Sequence, residues 1–292
     1  MRRHGVVTSA ADLVPFAHLG WGYRDRDDFA ARASECIVGA LRADQRIEYV
    51  GNASREVLRA ELADLGFDEQ LRSGRIRVTP AEDCYEFHPG SDVVDAEATV
   101  AERVEATDQA IADGYSGLCT LNDAIGLTRT PEQRDAWAAF EFLIDQRMPV
   151  LPFSALCAYD VNGLGRAAAE LLCLHPFVGP DMVGFRMFAE PGVDFVLVGE
   201  IDAASDDAFT AALRRTWPLL GDGTLVIDAH GLAFTTHTQL RTLDDYARAQ
   251  GRQVVLQTDQ HIIARLAVLL ELSNVRVQGA SPVRSPWQSC DA

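Results

Sequence analysis

All 26 basic residues of this chain are arginine, so lysine chemistry is absent. That excludes a Schiff-base lysine, a pyridoxal-phosphate attachment and the lysine of a phosphate-binding loop. A glycine-bearing stretch near the N-terminus, HLGWGYRDRDDF, points the same way. A working phosphate loop reads G-x-x-x-x-G-K-[ST], with Lys and a hydroxyl serving phosphate and Mg²⁺. Here Asp25, Arg26, Asp27 and Asp28 stand in that place and add negative charge where phosphates would sit. ATP hydrolysis is not expected, and neither is any other catalysis. The six cysteines (Cys36, Cys84, Cys119, Cys157, Cys173 and Cys290) are scattered without a C-x-x-C pair. Most lie in apolar runs such as Leu172-Cys173-Leu174, the pattern of reduced, buried thiols.

The 292 residues suit about two domains on a scale of roughly 100–200 residues each. At 48% hydrophobic and 24% charged the chain is globular rather than disordered. A formal net charge of −17 makes it a poor partner for nucleic acid or for anionic membrane surfaces. Asp12 interrupts the N-terminus before a signal-peptide core could form, and the run from Met148 to Tyr159 is shorter than the ~20 residues of a spanning helix. A cytoplasmic protein is expected.

Elements that could position chemistry follow from the pattern. Helical periodicity marks 27–41, 55–65, 95–113 and 131–147, with Ser54 and Pro131 as start signals and Gly66 and Gly114 as stops. Residues 46–50 alternate as a strand, apolar runs at 115–123 and 150–160 read as buried strands, and 75–80 as a short one. The stretch 82–95 reads as an exposed loop, and GLGRAAAELLCLHP as one helix ending at Pro176. This alternation predicts a doubly wound, largely parallel α/β sheet. Val178-Gly179-Pro180-Asp181 is the linker candidate. Beyond it come a strand pair (185–187 and 194–199), then helix 206–220, strand 224–229, helix 238–251, strand 253–258 and helix 260–272. The tail 279–292 reads as disordered.

The C-terminal half, 184–278, resembles the STAS domain of anti-sigma factor antagonists. Gly199-Glu200-Ile201-Asp202, the strand Leu225-Val226-Ile227-Asp228, the helix exit Ala249-Gln250-Gly251-Arg252 and the last helix HIIARLAVLLEL carry the resemblance. It implies docking to an anti-sigma factor or related histidine-kinase-like ATPase. It also implies a serine phosphosite at a helix N-terminus, where amides and dipole hold a phosphate. In this chain that place falls on Thr236-His237, so three roles stay open. The domain docks without phosphorylation, a threonine (Thr236 or Thr238) replaces the serine, or His237 itself is modified. Thr235 or Thr236 caps the helix in all three.

The N-terminal half, 13–178, resembles the MEDS sensory domain. His18-Leu19-Gly20-Trp21-Gly22-Tyr23, ALRADQRIEYVGN, Ala112 to Leu118, Phe140-Glu141, Cys157-Ala158-Tyr159-Asp160 and Leu172-Cys173-Leu174-His175-Pro176 carry it. The element order is also similar to RecA/KaiC-like ATPases, implying a three-layer α/β domain with a degenerate P-loop. The MEDS resemblance implies a small-molecule site among His18, Tyr23, Glu141, Cys157, Tyr159, Asp160 and His175. Cys157 to Asp160 fall at a strand end, the expected rim of a ligand crevice. His18, Glu141, Cys157 and His175 are chemically suitable metal ligands, although a buried His or Cys commonly just fills a core. Cys157 with His18 or His175 could also form a nucleophile pair or a redox centre.

Together these readings describe a signalling protein without a cofactor, its first domain sensing a small molecule and its second docking an anti-sigma partner to control a stress response. The alternative is a metal- or cysteine-dependent redox sensor or enzyme built on Cys157, His18 and His175. A scaffold that oligomerises, for instance as a homodimer, through its second domain is also open. Any switch of the first kind requires the two domains to share an interface.

Overall fold

In a computed structural model, residues 3–11 and 16–279 are described; the predicted tail beyond Gly279, with Cys290, lies outside them. Strands β1 (Gly5–Val6) and β2 (His18–Tyr23) lead to helix α1 (Arg26–Arg42) and β3 (Arg46–Gly51). Then come α2 (Arg55–Asp64), α3 (Asp68–Arg72), β4 (Ile76–Pro80), α4 (Ala81–Cys84), α5 (Ala96–Ala112), β5 (Leu118–Asp123), α6 (Pro131–Arg147) and β6 (Phe153–Asp160). Short helices α7 (Val161–Leu164) and α8 (Ala167–Leu172) and strand β7 (Phe177–Val178) complete the first unit. The second comprises β8 (Phe185–Phe188), β9 (Phe195–Ile201), α9 (Asp206–Thr216), β10 (Leu225–Asp228), β11 (Leu232–Thr235), α10 (His237–Ala249), β12 (Val254–Gln257), α11 (His261–Leu269) and β13 (Val275–Gln278).

The first sheet runs β1-β7-β2-β6-β5-β3-β4 with every pairing parallel. Its central strands, HLGWGY and FSALCAYD, are buried almost throughout because helices cover both faces. Alternation sorts the side chains. Leu19, Trp21, Leu156 and Ala158 join α1 and α2 in one core. Ala155, Cys157 and Tyr159 join α5, α6 and α8 in the other. Helix α6 starts where the sequence says it should, with Pro131 in its first turn and a reciprocal capping box between Thr130 and Gln133.

The second sheet runs β11-β9-β10-β12-β13, parallel throughout, and β8 pairs antiparallel with β9. The two sheets make one α/β molecule with a continuous core. Trp137 and Phe140 of α6 belong to the same apolar cluster as Phe185, Phe195, Phe209 and Leu213 of the second unit. Arg215, buried on α9, reaches Asp135 of α6 at 2.7 Å and Glu170 of α8 at 2.7 Å. The amide of Met187 donates to the Cys173 carbonyl. The interface that a switch requires is therefore present.

Three sequence expectations are corrected. Residues 82–95 are an exposed loop over much of their length, as expected, but not throughout: α4 runs into the start of the stretch, Tyr85 and Val94 are buried, and Phe87 and Val94 form an antiparallel bridge. Apolar residues in a polar context concealed this. The helix expected over 163–176 is two short ones, broken at Gly165, whose φ of 55° lies in the left-handed region. Strands β1, β2, β7, β11 and β13 also lie in segments assigned to no strand; β2 carries two glycines, and β11 and β13 are half-exposed edge strands without the apolar run that marks β10 and β12.

Candidate functional site

Four of the seven expected ligand residues meet inside the first unit. His18 opens β2, Glu141 lies on α6, Cys157 on β6, and His175 follows α8. Their ligand-type atoms all lie within 4.8 Å of one another and all four residues are buried. His18 Nε2 is 2.9 Å from Glu141 Oε2, and Cys157 Sγ is 3.8 Å from His18 Nε2 and 3.5 Å from Glu141 Oε2. His175 Nε2 stands 3.6 Å from Glu141 Oε2 and has no hydrogen-bond partner. The elements bring them together because β2 and β6 are neighbours in register, Gly20 opposite Cys157, with side chains of one parity facing α6. Gly20 makes the space. A Cβ there would lie 2.8 Å from both Cγ and Nδ1 of His175.

A second layer holds these groups in place. His18 Nδ1 pairs with Asp145 Oδ1 at 2.8 Å, and His175 Nδ1 with the Leu171 carbonyl at 3.2 Å. Tyr159 donates its hydroxyl to Glu141 Oε1 at 2.6 Å and receives the Trp137 indole N–H at 3.1 Å. Asp145 also accepts the Ala189 amide of the second unit at 2.7 Å, so the cluster is hydrogen-bonded across the interface.

The electrostatics follow from burial and these contacts. Burial alone would lower the His18 imidazole, but hydrogen bonds to Asp145 and Glu141 outweigh it and raise its pKa to about 9. Burial pushes the Glu141 carboxyl up, and the imidazoles of His175 and His18 bring it well below the usual carboxylate range. His175 is lowered by burial and then by the charge on His18. Burial and the Glu141 carboxylate push the Cys157 thiol well up, which makes Cys157 a poor nucleophile.

The other expected residues lie elsewhere. Tyr159 belongs to the supporting layer. Cys157 and Tyr159 are interior rather than on a rim, because their alternating side chains point under α6; only Asp160 reaches the strand end, capping α7 through the amides of Asn162 and Gly163. Tyr23 donates to Asp123 Oδ1 at 2.9 Å in a separate network, where Arg26 meets Asp123 Oδ2 at 2.5 Å. That network fills the place a phosphate loop would serve. Beside it, a crevice of about 480 Å³ opens at the strand ends, lined by Asn52, Ser54, Glu82, Asp92, Arg129 and Gln133 among others. In the second unit Thr236 caps α10 in a capping box with Gln239, while His237 and Thr238 are exposed on its first turn and Thr235 is buried.

Asp145, Trp137, Asp123 and Arg26 did not stand out in the sequence as site residues. Asp145 had a signal: it sits four residues after Glu141 on an otherwise apolar helix face, one turn away. The partnership of Asp123 with Tyr23 and Arg26 spans about a hundred residues and had none.

A family model described as MEDS, the methanogen/methylotroph, DcmR sensory domain, matches residues 17–176, more than half of the chain. No curated protein matches. Among the described residues no helix is long and apolar enough to cross a membrane.

Proposed function

We propose a sensory regulator, on the premise that this chain belongs to the MEDS family. A MEDS sensory domain makes the protein sensory or regulatory in kind; the finer reading is ours. The first unit takes a small molecule in the crevice at the ends of β3, β4 and β5, the place where open α/β sheets bind ligands. The second unit, resembling STAS domains, docks an anti-sigma factor or related histidine-kinase-like ATPase around the first turn of α10 and so frees a sigma factor for a stress response. The protein acts by binding rather than catalysis.

The observation that carries this reading is the shared core, with Arg215 fixed between α6 and α8. A ligand shifts an equilibrium only by its differential affinity for two states, and the two units must then move against common contacts. For phosphate control, Thr238 is the better acceptor of the two threonines. Its hydroxyl is exposed on the first turn of a thirteen-residue helix, whereas that of Thr236 is engaged in the cap.

The test titrates the full chain against the anti-sigma ATPases of its own host, as wild type and as Thr238→Arg. Saturable binding by wild type, weakened at least about tenfold in the variant at unchanged melting temperature, is expected. No saturable binding overturns the docking role, and equal binding by both proteins overturns its placement on the first turn of α10.

A further inference from the structure

We propose that His18 Nε2, Glu141 Oε2, Cys157 Sγ and His175 Nε2 form a closed tetrahedral site for one divalent transition ion, Zn²⁺ foremost. The proposal does not rest on the anti-sigma reading and stands or falls separately.

The argument starts from spacing. Zn²⁺ binds nitrogen and oxygen at about 2.0–2.2 Å and sulfur at about 2.3 Å, so the corners of a tetrahedron around it lie about 3.3–3.7 Å apart. The separations here are 2.9, 3.5, 3.6 and 3.8 Å, and none exceeds 4.8 Å. Modest side-chain rotation, chiefly to part His18 from Glu141, brings the four atoms to coordination geometry. The donor set, two imidazoles, a thiol and a carboxylate, is one that a borderline ion takes.

Three of these ligands are also oriented as metal ligands are. A ligating imidazole commonly gives its other nitrogen to a carboxylate or a backbone carbonyl, which fixes the tautomer and aims the free nitrogen. His18 does this through Asp145, and His175 through the Leu171 carbonyl. Tyr159 occupies the distal oxygen of Glu141, leaving the proximal one facing the cluster. Among the four ligands a thiolate and a carboxylate offset the charge of a divalent cation, and the buried Asp145 carboxylate behind His18 adds a further negative charge.

A second, independent observation points to a ligand. His175 Nε2 is fully buried, aimed into the cluster and without a hydrogen-bond partner. A proton shared between His18 and its two carboxylates would account for His18, Glu141 and Asp145 without any ion. It leaves His175 Nε2 unsatisfied and gives no reason for Gly20, which clears the space for that ring. A cation accounts for all of these groups at once.

The test uses the full untagged chain. Metal analysis of protein purified from zinc-supplemented cells is expected to give about one ion per chain. Replacement by Co²⁺ is expected to give the intense visible bands of tetrahedral cobalt together with a thiolate-to-cobalt charge-transfer band. Cys157→Ser removes the charge-transfer band, and His175→Gln lowers metal affinity at least about tenfold, comparable to what outer-shell losses alone bring. Cys84→Ser and Cys173→Ser, which alter buried thiols outside the cluster, leave content and spectrum unchanged. Should a variant fail to fold, the wild-type cobalt spectrum and its competition by Zn²⁺ still decide. Wild-type protein that binds neither ion stoichiometrically overturns the site, as does full metal retention in both Cys157→Ser and His175→Gln.

Discussion

Two polar networks share strand β2 of one sheet, and water treats them differently. In the first, His18, Glu141 and Asp145 are wholly buried, and each must find its partners within the protein. In the second, at the strand ends, Arg26 keeps 52% of its side chain in solvent while it holds Asp123, which also receives Tyr23. Both are built from charges and hydrogen bonds at similar distances, yet their costs differ. A buried ion pair stripped of one member leaves a charge that nothing solvates, whereas a surface pair hands its partner back to water. The sealed network is therefore rigid and interdependent. The rim can exchange contacts cheaply, which is what a ligand crevice needs.

The largest effect is expected from Glu141→Leu. It removes the acceptor of both the His18 imidazole and the Tyr159 hydroxyl while keeping an apolar volume on α6. A loss of about 3–5 kcal/mol in denaturant unfolding is expected, the usual result of orphaning a buried partner. A loss under about 1 kcal/mol would show that the cluster relaxes as freely as the rim, and the distinction would fail.

Next comes Gly20→Ala, which adds one methyl group where the His175 ring already sits. Overpacking of this kind costs about 1–3 kcal/mol. The same variant should lose metal affinity, because the ring must swing to admit the Cβ. Stability unchanged with His175 still in place would show that the pocket has slack.

How much of this was legible beforehand depended on distance along the chain. The parallel sheet showed in apolar runs such as SALCAYD, and α6 in Pro131 and its periodicity, because period and capping are local. The chemistry of His18, Glu141, Cys157 and His175 was also readable from their types. Their convergence was not, since it arises from the β2–β6 register and from α6 crossing one face of the sheet. The Asp145 link to Ala189 and the Arg215 bridge were hidden for the same reason. Two helices can each look complete, as α6 and α9 do, and still be joined by a half-buried charge pair. Conversely, β11 and β13 escaped notice because they are half-exposed edge strands, whereas the equally short β10 and β12 lie inside the sheet and carry a buried apolar run.

Between the extremes lies Arg215→Met. The arginine is nearly buried, but Asp135 and Glu170 keep 41% and 22% of their side chains exposed, so water takes up part of what they lose. About 1–2 kcal/mol is expected, below the sealed-pair range and above that of a surface pair. Hydrogen exchange should locate the change in α9 and the facing turns of α6 and α8. If exchange rises instead across the whole first unit, the two units unfold as one body and the joint is no weak point.

The smallest effect is expected at the rim, from Arg26→Ala. Besides Asp123, this guanidinium reaches Glu61 at 3.4 Å and lies 4.4 Å from the centre of the Phe29 ring. Three contacts suggest a keystone, but half of the Arg26 side chain is in water, and Asp123, itself only 9% exposed, keeps the Tyr23 hydroxyl and the Ile125 amide as donors, so a loss of about 1 kcal/mol is expected. The difference between wild type and variant should shrink further as salt is raised, because exposed charges are screened within about 10 Å at 0.1 M. Tyr23 still donates to Asp123 in the variant, so the network loses one arm and keeps its frame. A loss above about 2 kcal/mol, insensitive to salt, would mean that the strand-end network is sealed in the same way as the cluster beneath α6, and the crevice would then lack the yielding wall that ligand exchange requires.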